Sequence, residues 1–416
     1  MINEISSQDY LFIYLRKILI GMVLVYLAVD CFNGVLLRIG IGISISQLFK
    51  MAILFGILLY LIRSNLTYFL LSLALILAFI VPPITQSLSS GETSTVVGNI
   101  GYNLKLLLFP ISFFFFASLP KYDWGQSRLF KLFAWFNFAL IATNILLGVM
   151  GIGYSQYNGP EGGIGGRGFF FAGNEVAGIF VLFSATCWYL IRDKSFLFKS
   201  AFFIFLLLLG ILNASKTAIL GILLIISLLE IDLQVPKKIS LAQLFKYLLI
   251  PIIIIAIPVV LYIGIKSTGL IDRISFFYQR MDILTFILSG RNQMVLGAMT
   301  FYPNIYSFWD YLLGLGNLEF LEQMRIFHGV AHTIEIDFFD LLFMNGFLGV
   351  VIILGFYLLI LIRSIIPSGR EVTKYMWAVN LILILISFMA GHVFNSAMLG
   401  ISLGFFNGLP VAFQKT

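Results

Sequence analysis

The sequence predicts an all-α, polytopic integral membrane protein of about twelve transmembrane helices (about 11 to 13), and three observations carry that prediction. Hydrophobic residues make up 60% of the 416. Only 26 basic and 19 acidic residues are present, where a soluble chain of this length carries roughly 100 charged side chains. The apolar residues fall in runs of spanning length, and at about 20 per span they suffice for about 12 spans with little left for a water-exposed domain. The composition excludes a disordered chain, a coiled coil, a secreted disulfide scaffold and a nucleic-acid binder. The net charge of +7 reads as a topology signal, because basic residues of polytopic proteins concentrate on the cytoplasmic side.

Arg16 and Lys17 lie at the start of the first run, near 14 to 34. No small-residue cleavage site follows, so it reads as a retained span and not as a signal peptide. Further runs lie near 44 to 62, 66 to 84, 100 to 118, 129 to 152 and 169 to 191, divided by charged or Gly- and Pro-containing breaks. The second half adds runs near 200 to 213, 217 to 233, 247 to 265, 336 to 362, 375 to 393 and 396 to 413. The seventh and eighth are short and joined only by residues Asn213 to Thr217, and the last two meet near Gly391 and His392; both joints are tight enough for re-entrant hairpins. Cys31 and Cys187 fall inside apolar runs and read as small buried hydrophobes.

Orientation follows from the basic residues of alternate connections. With the N-terminus inside, sixteen Lys and Arg fall in cytoplasmic connections and eight outside, with Lys50 and Lys105 within spans. Both termini are therefore expected in the cytoplasm. The whole of 1–416 reads as a single membrane domain without internal repeats. Within it, residues 266–336 form one large external loop of about 70 residues, a length more often functional than idle. Its stretches 271–288, with Arg273 and Arg280 seven apart, and 292–301 read as short amphipathic helices. The Gly-rich segment 154–168 reads as a flexible external loop presenting Arg167; its spacing does not fit a phosphate-binding loop.

The outer connections are nearly free of basic residues, so those that remain ask for a reason. Arg167, Lys216 and Arg291 all fall at the expected outer interface, with Arg273 and Arg280 in the same loop as Arg291. Partly desolvated cations at that depth suit a diphosphate at the head of a membrane-embedded lipid. His332 adds a side chain able to take a proton near neutral pH. Glu335, three residues on, shares its face in a helix and reads either as its orienter or as a solvated helix-start acid. Arg167 reads otherwise as a snorkelling cation, and Arg273 and Arg280 as the wet face of a helix. The three histidines lack metal-ligand spacing, so no metal and no cofactor is expected. Tyr302, Tyr306 and Trp309 are candidates for stacking on sugar rings above the membrane.

An ordered set of short motifs gives these residues a context. Gly166-Arg167-Gly168-Phe169 is followed by Gly173-Asn174-Glu175 and Gly178, then by Ser215-Lys216-Thr217-Ala218. Ser289-Gly290-Arg291, Leu313-Gly314-Leu315-Gly316, Ala331-His332 through Asp337, and Asn345-Gly346-Phe347-Leu348-Gly349 complete it. Over roughly 160–350 the sequence resembles the O-antigen polymerase and ligase superfamily (Wzy and WaaL types) of bacterial membrane glycosyltransferases. The resemblance implies a GT-C-like helical fold in the inner (plasma) membrane, with the site facing the periplasm or outside. It implies donor and acceptor glycans linked to undecaprenyl diphosphate, surrounding membrane lipids and a chain-length regulator protein as partners, and no nucleic acid. Cations at Arg167, Lys216 and Arg291 then engage the diphosphate, and His332 is the base or stands near it.

The expected reaction is that of a surface-polysaccharide polymerase, passing a growing glycan from its diphosphate carrier to a hydroxyl of a new lipid-linked repeat unit. The cations stabilise the leaving group and His332 accepts the hydroxyl proton. A ligase of the same superfamily is the near alternative, and a lipid-linked glycan flippase or other transporter the alternative from another class.

Overall fold

The computed structural model describes residues 7–90, 93–120, 128–159, 162–230, 282, 284–285, 288–365 and 371–414. Among these are fourteen helices and one two-stranded antiparallel sheet. The helices of the first half are α1 (Ser7–Arg38), α2 (Ile45–Ser64), α3 (Leu66–Ser90), α4 (Thr93–Ser118) and α5 (Arg128–Val149). A hairpin of β1 (Tyr154–Gly159) and β2 (Gly162–Gly168) precedes α6 (Gly173–Leu190), α7 (Phe196–Leu212) and α8 (Lys216–Glu230). Three short helices follow, α9 (Arg291–Ile305), α10 (Phe308–Leu313) and α11 (Asn317–His328), then α12 (Asp337–Ile365), α13 (Glu371–Met389) and α14 (Ala397–Gln414).

The expected twelve-span GT-C bundle is not what forms. Among the described residues six helical stretches are long and apolar enough to cross a membrane: Tyr10–Arg38, Ile45–Ser64, Leu66–Thr85, Val96–Ser118, Arg128–Val149 and Asp337–Ser364. They make the chain a membrane-associated helical protein. The other apolar runs correspond to shorter helices, and the run near 247 to 265 lies outside the described residues. The physical reason is that a hydropathy window counts apolar side chains without knowing what they face. Glu175 to Tyr189 of α6 and Met398 to Val411 of α14 are buried on every side, and a helix apolar all round is as well satisfied by protein neighbours as by lipid.

The centre is aromatic. α4 packs most extensively against α14, where Phe133 of α5 lies 4.1 Å from Phe405, ring centre to ring centre, and Phe116 of α4 lies 4.9 Å from the same ring. Between helices in lipid the gain comes from close packing and ring–ring attraction, about 0.5 to 1.5 kcal/mol per aromatic pair. One end of the bundle is closed by ions: Lys199 meets Glu230 at 2.6 Å, Trp188 Nε1 donates to the same carboxylate at 3.0 Å, and Lys374 donates to Leu229 O at 3.1 Å.

At the other end the Gly-rich segment is ordered, in contrast to the expected flexible loop. Its strands pair from Tyr157 with Ile164 to Gly159 with Gly162, and lie so close to α5 that a Cβ on Gly166 would stand 2.4 Å from Ile145 O. Asn144 Oδ1 accepts from Phe169 N at 2.9 Å, while Asn213 Nδ2 donates to Gly166 O at 3.0 Å. Asn144→Ala is therefore expected to cost about 1 to 2 kcal/mol, read as a lower melting temperature in detergent, because it leaves the half-buried Phe169 N–H without its acceptor.

The last long span is broken. Gly346, at φ 66° and ψ −172°, divides α12 into two pieces, and a Cβ there would lie 2.4 Å from Leu312 O. The carbonyls freed by the break accept from the segment after α10: Leu315 N reaches Phe343 O at 3.1 Å and Gly316 N reaches Met344 O at 3.0 Å. That exchange satisfies the groups a helix interruption leaves bare. It also ties the short helices of the long loop to the bundle.

Candidate functional site

Glu335 is the hub of the site. It stands in the eight-residue approach to α12 with its backbone at φ +61°, a conformation costly for a side-chain-bearing residue. Two buried carboxylates hold it there. Asp340 accepts from Ile334 N at 2.9 Å and from Glu335 N at 3.2 Å. Asp337 reaches across to the α13–α14 joint and accepts from His392 N at 2.8 Å, Val393 N at 2.8 Å and Phe394 N at 3.1 Å. The two segments are so close that a Cβ on Gly391 would fall 2.4 Å from Glu335 O. Ser289, Glu335 and His392 are three of the four residues other than glycine with positive φ among those described, so local strain gathers here.

Three cationic or cation-forming side chains converge on the Glu335 carboxylate. Arg291, the first residue of α9, donates to Oε2 at 2.6 Å. His392 Nε2 lies 3.4 Å from Oε1 and His332 Nε2 lies 3.7 Å from it. Burial alone would raise the Glu335 pKa, but the hydrogen bond and charge of His392, then the charges of Arg291 and His332, hold it down to about 2. Burial would lower His392; its hydrogen bond to Glu335 and the charges of Glu335, Asp337 and Glu175 raise it above its ordinary value. His332 is the outer imidazole, with its side chain 49% exposed against 20% for His392, and its Nδ1 lies 2.7 Å from Thr333 O. Arg291 keeps one buried donor, Nε, without a partner among the described residues.

The site thus brings together Arg291, His332 and Glu335 of the expected set, and adds His392 and the clamps Asp337 and Asp340. The sequence marked His392 only as part of the joint between the last two apolar runs and not as a site residue. The available signal was its place beside Gly391 in a tight joint between two apolar runs, where an ionisable side chain is costly.

The other expected residues lie elsewhere. Arg167 donates to Phe171 O at 2.7 Å and lies 5.4 Å from the centre of the Tyr154 ring. Lys216 is exposed at the start of α8, beside the Asn213 turn that packs on the hairpin. Arg291 is thus engaged by Glu335, and Arg167 by Phe171 O beside its own hairpin. Arg273 and Arg280 lie outside the described residues. Tyr302 and Tyr306 do not offer open faces for sugars: their rings lie 4.5 Å apart, Tyr302 is wedged at 4.8 Å against both Tyr311 and Phe343, and Tyr306 OH donates to Phe343 O at 2.9 Å. They join α9 to α12. Trp309 is exposed and touches Phe308.

Among the described residues no three His, Cys, Asp or Glu side chains are placed to hold a metal ion. No family model matches the chain, and no curated protein matches it. With six stretches of spanning length in place of twelve, these results overturn the expected membership of the O-antigen polymerase and ligase superfamily. The readings as surface-polysaccharide polymerase, ligase or lipid-linked glycan flippase fall with it. The reason is that the resemblance rested on short Gly-containing motifs in order, and such motifs recur wherever apolar helices must turn tightly or approach closely.

Proposed function

We propose that the chain is a membrane-embedded enzyme that does acid–base chemistry on an anionic substrate at the Glu335 site. The observation that carries this is one carboxylate bound at once by Arg291, His392 and His332 on a strained backbone. Two imidazoles of unequal exposure sharing one carboxylate form a proton path from a buried position to an open one. His332 is the group that meets substrate, His392 and Glu335 orient and charge it, and the spare Arg291 Nε is a donor for an anion. Lipid-borne substrates and the surrounding membrane lipids are the partners such a site suits.

The test is mass analysis of lipid extracts from source cells lacking the gene, complemented with wild type, Glu335→Gln or His332→Ala. Deletion and both variants are expected to accumulate one phosphate-bearing lipid about tenfold or more, with the variants at the protein abundance of the wild type. Extracts identical with and without the gene would overturn the reading.

A further inference from the structure

A pocket lies between the C-terminal half of α1, the start of α2, the middle of α4 and the starts of α6 and α14, and Glu335 is not among its lining residues. Its volume is about 270 Å³, near the lower end for small-molecule sites, so it admits a head group or part of a chain and not a whole lipid. The rim residues Met51 and Phe171 are 48% and 61% exposed, and Gln47 is exposed beside them, so the mouth is open. Leu54, Leu104 and Leu108 line it with apolar surface.

The polar groups inside are unequally engaged. Asp30 is bound by Lys50 at 2.6 and 2.8 Å and by the Ser46 hydroxyl. Glu175 is bound by the Ser396 hydroxyl and by Met398 N at 3.1 Å. Asp30 and Lys50 are therefore engaged with each other, and Glu175 is held by neutral donors. Lys105, half-buried on α4 and lining the same pocket, has no ion-pair partner among the described residues. Asn33 Oδ1 accepts from Ser46 N at 3.3 Å, which leaves its amide NH2 as the available group. Lys105, the Asn33 NH2 and the Gln47 amide together offer several donors to an oxyanion, more than a two-oxygen carboxylate requires and well matched to a phosphate.

We infer that this pocket binds a phosphate ester whose apolar part lies along the exposed Met51 and Phe171 rim, as the head of an anionic lipid does. This goes beyond the acid–base reading and stands without it, because retention of a ligand is measured by mass and not by turnover. Gly101 lines the pocket, and a Cβ built on it meets nothing within 4 Å. A larger side chain there fills the ligand's space while replacing a poor helix former within α4.

The experiment is native mass spectrometry of the full chain in a neutral detergent with phosphatidylglycerol, phosphatidylcholine or glycerol 3-phosphate. Wild type is expected to retain one phosphatidylglycerol at a lipid concentration at least tenfold below that needed for phosphatidylcholine. Gly101→Leu should lose that adduct with an unchanged melting temperature, and Lys105→Gln should weaken it at least fivefold while Lys105→Arg keeps it. Failure of glycerol 3-phosphate to displace the lipid assigns the site to a lipid head group; displacement at equal concentration assigns it to a soluble phosphate ester, and either supports the pocket. Equal retention of the two lipids by wild type, or full retention of phosphatidylglycerol by Gly101→Leu, would overturn it. Should Gly101→Leu fail to fold, full retention by Lys105→Gln decides against it equally.

Discussion

Replacing Glu335 by Gln is expected to remove the acid limb of the protein's stability profile and to destabilise it at neutral pH by on the order of 2 to 3 kcal/mol. The carboxylate titrates near 2 in the folded chain against an ordinary 4.5. A depressed folded-state value means that its contribution is complete above about 4.5 and is lost as pH falls from there through about 2. His392 has the opposite sign. Its value is raised, so its contribution is complete below its ordinary 6.5 and is lost as pH rises through the folded-state value. The wild type is therefore expected to be most stable between about pH 4.5 and 6.5. In the Gln variant, Arg291 and His392 face a neutral amide while only 14% and 20% exposed, so both limbs flatten. Thermal unfolding in detergent from pH 3 to 9 checks this; superimposable profiles for variant and wild type would show that the convergence on Glu335 carries no energy.

Asp337→Ala is expected to cost more, about 3 to 5 kcal/mol, because it leaves three buried N–H groups without an acceptor at once. His392, Val393 and Phe394 all donate to this carboxylate, which is 1% exposed. Its loss also frees the joint that sets His392 against Glu335, so the alkaline limb should weaken in the same variant although neither Glu335 nor His392 is altered. Asp337→Asn, which keeps one acceptor oxygen and the volume, should fall between the two. A change of stability with the pH profile intact would mean that the clamp supports the fold alone and does not position His392.

Several parts of this arrangement were legible in the residues. Arg291, His332 and Glu335 stand out in an apolar chain because charge is scarce there and costly wherever water is thin. The broken helix was half legible: Asn345-Gly346 is a poor helix interior, yet whether the freed carbonyls of Phe343 and Met344 find partners depends on Leu315 and Gly316, some 30 residues earlier, returning to them. His392 was illegible as a site residue, since 57 positions separate it from Glu335 and only the Asp337 clamp closes that gap. The number of spans misled for a related reason, α6 and α14 being apolar on faces that meet protein and not lipid.

By itself the sequence determined that the chain is helical, apolar and membrane-associated, that its few charges are informative, and where many of its helices begin and end, because composition and local periodicity act within a turn or two of each residue. Only the tertiary structure decided which apolar helices face one another, which cation keeps its carboxylate partner and which pocket keeps an unclaimed lysine. Those outcomes depend on pairings between segments far apart in the chain, whose free energies no local pattern contains.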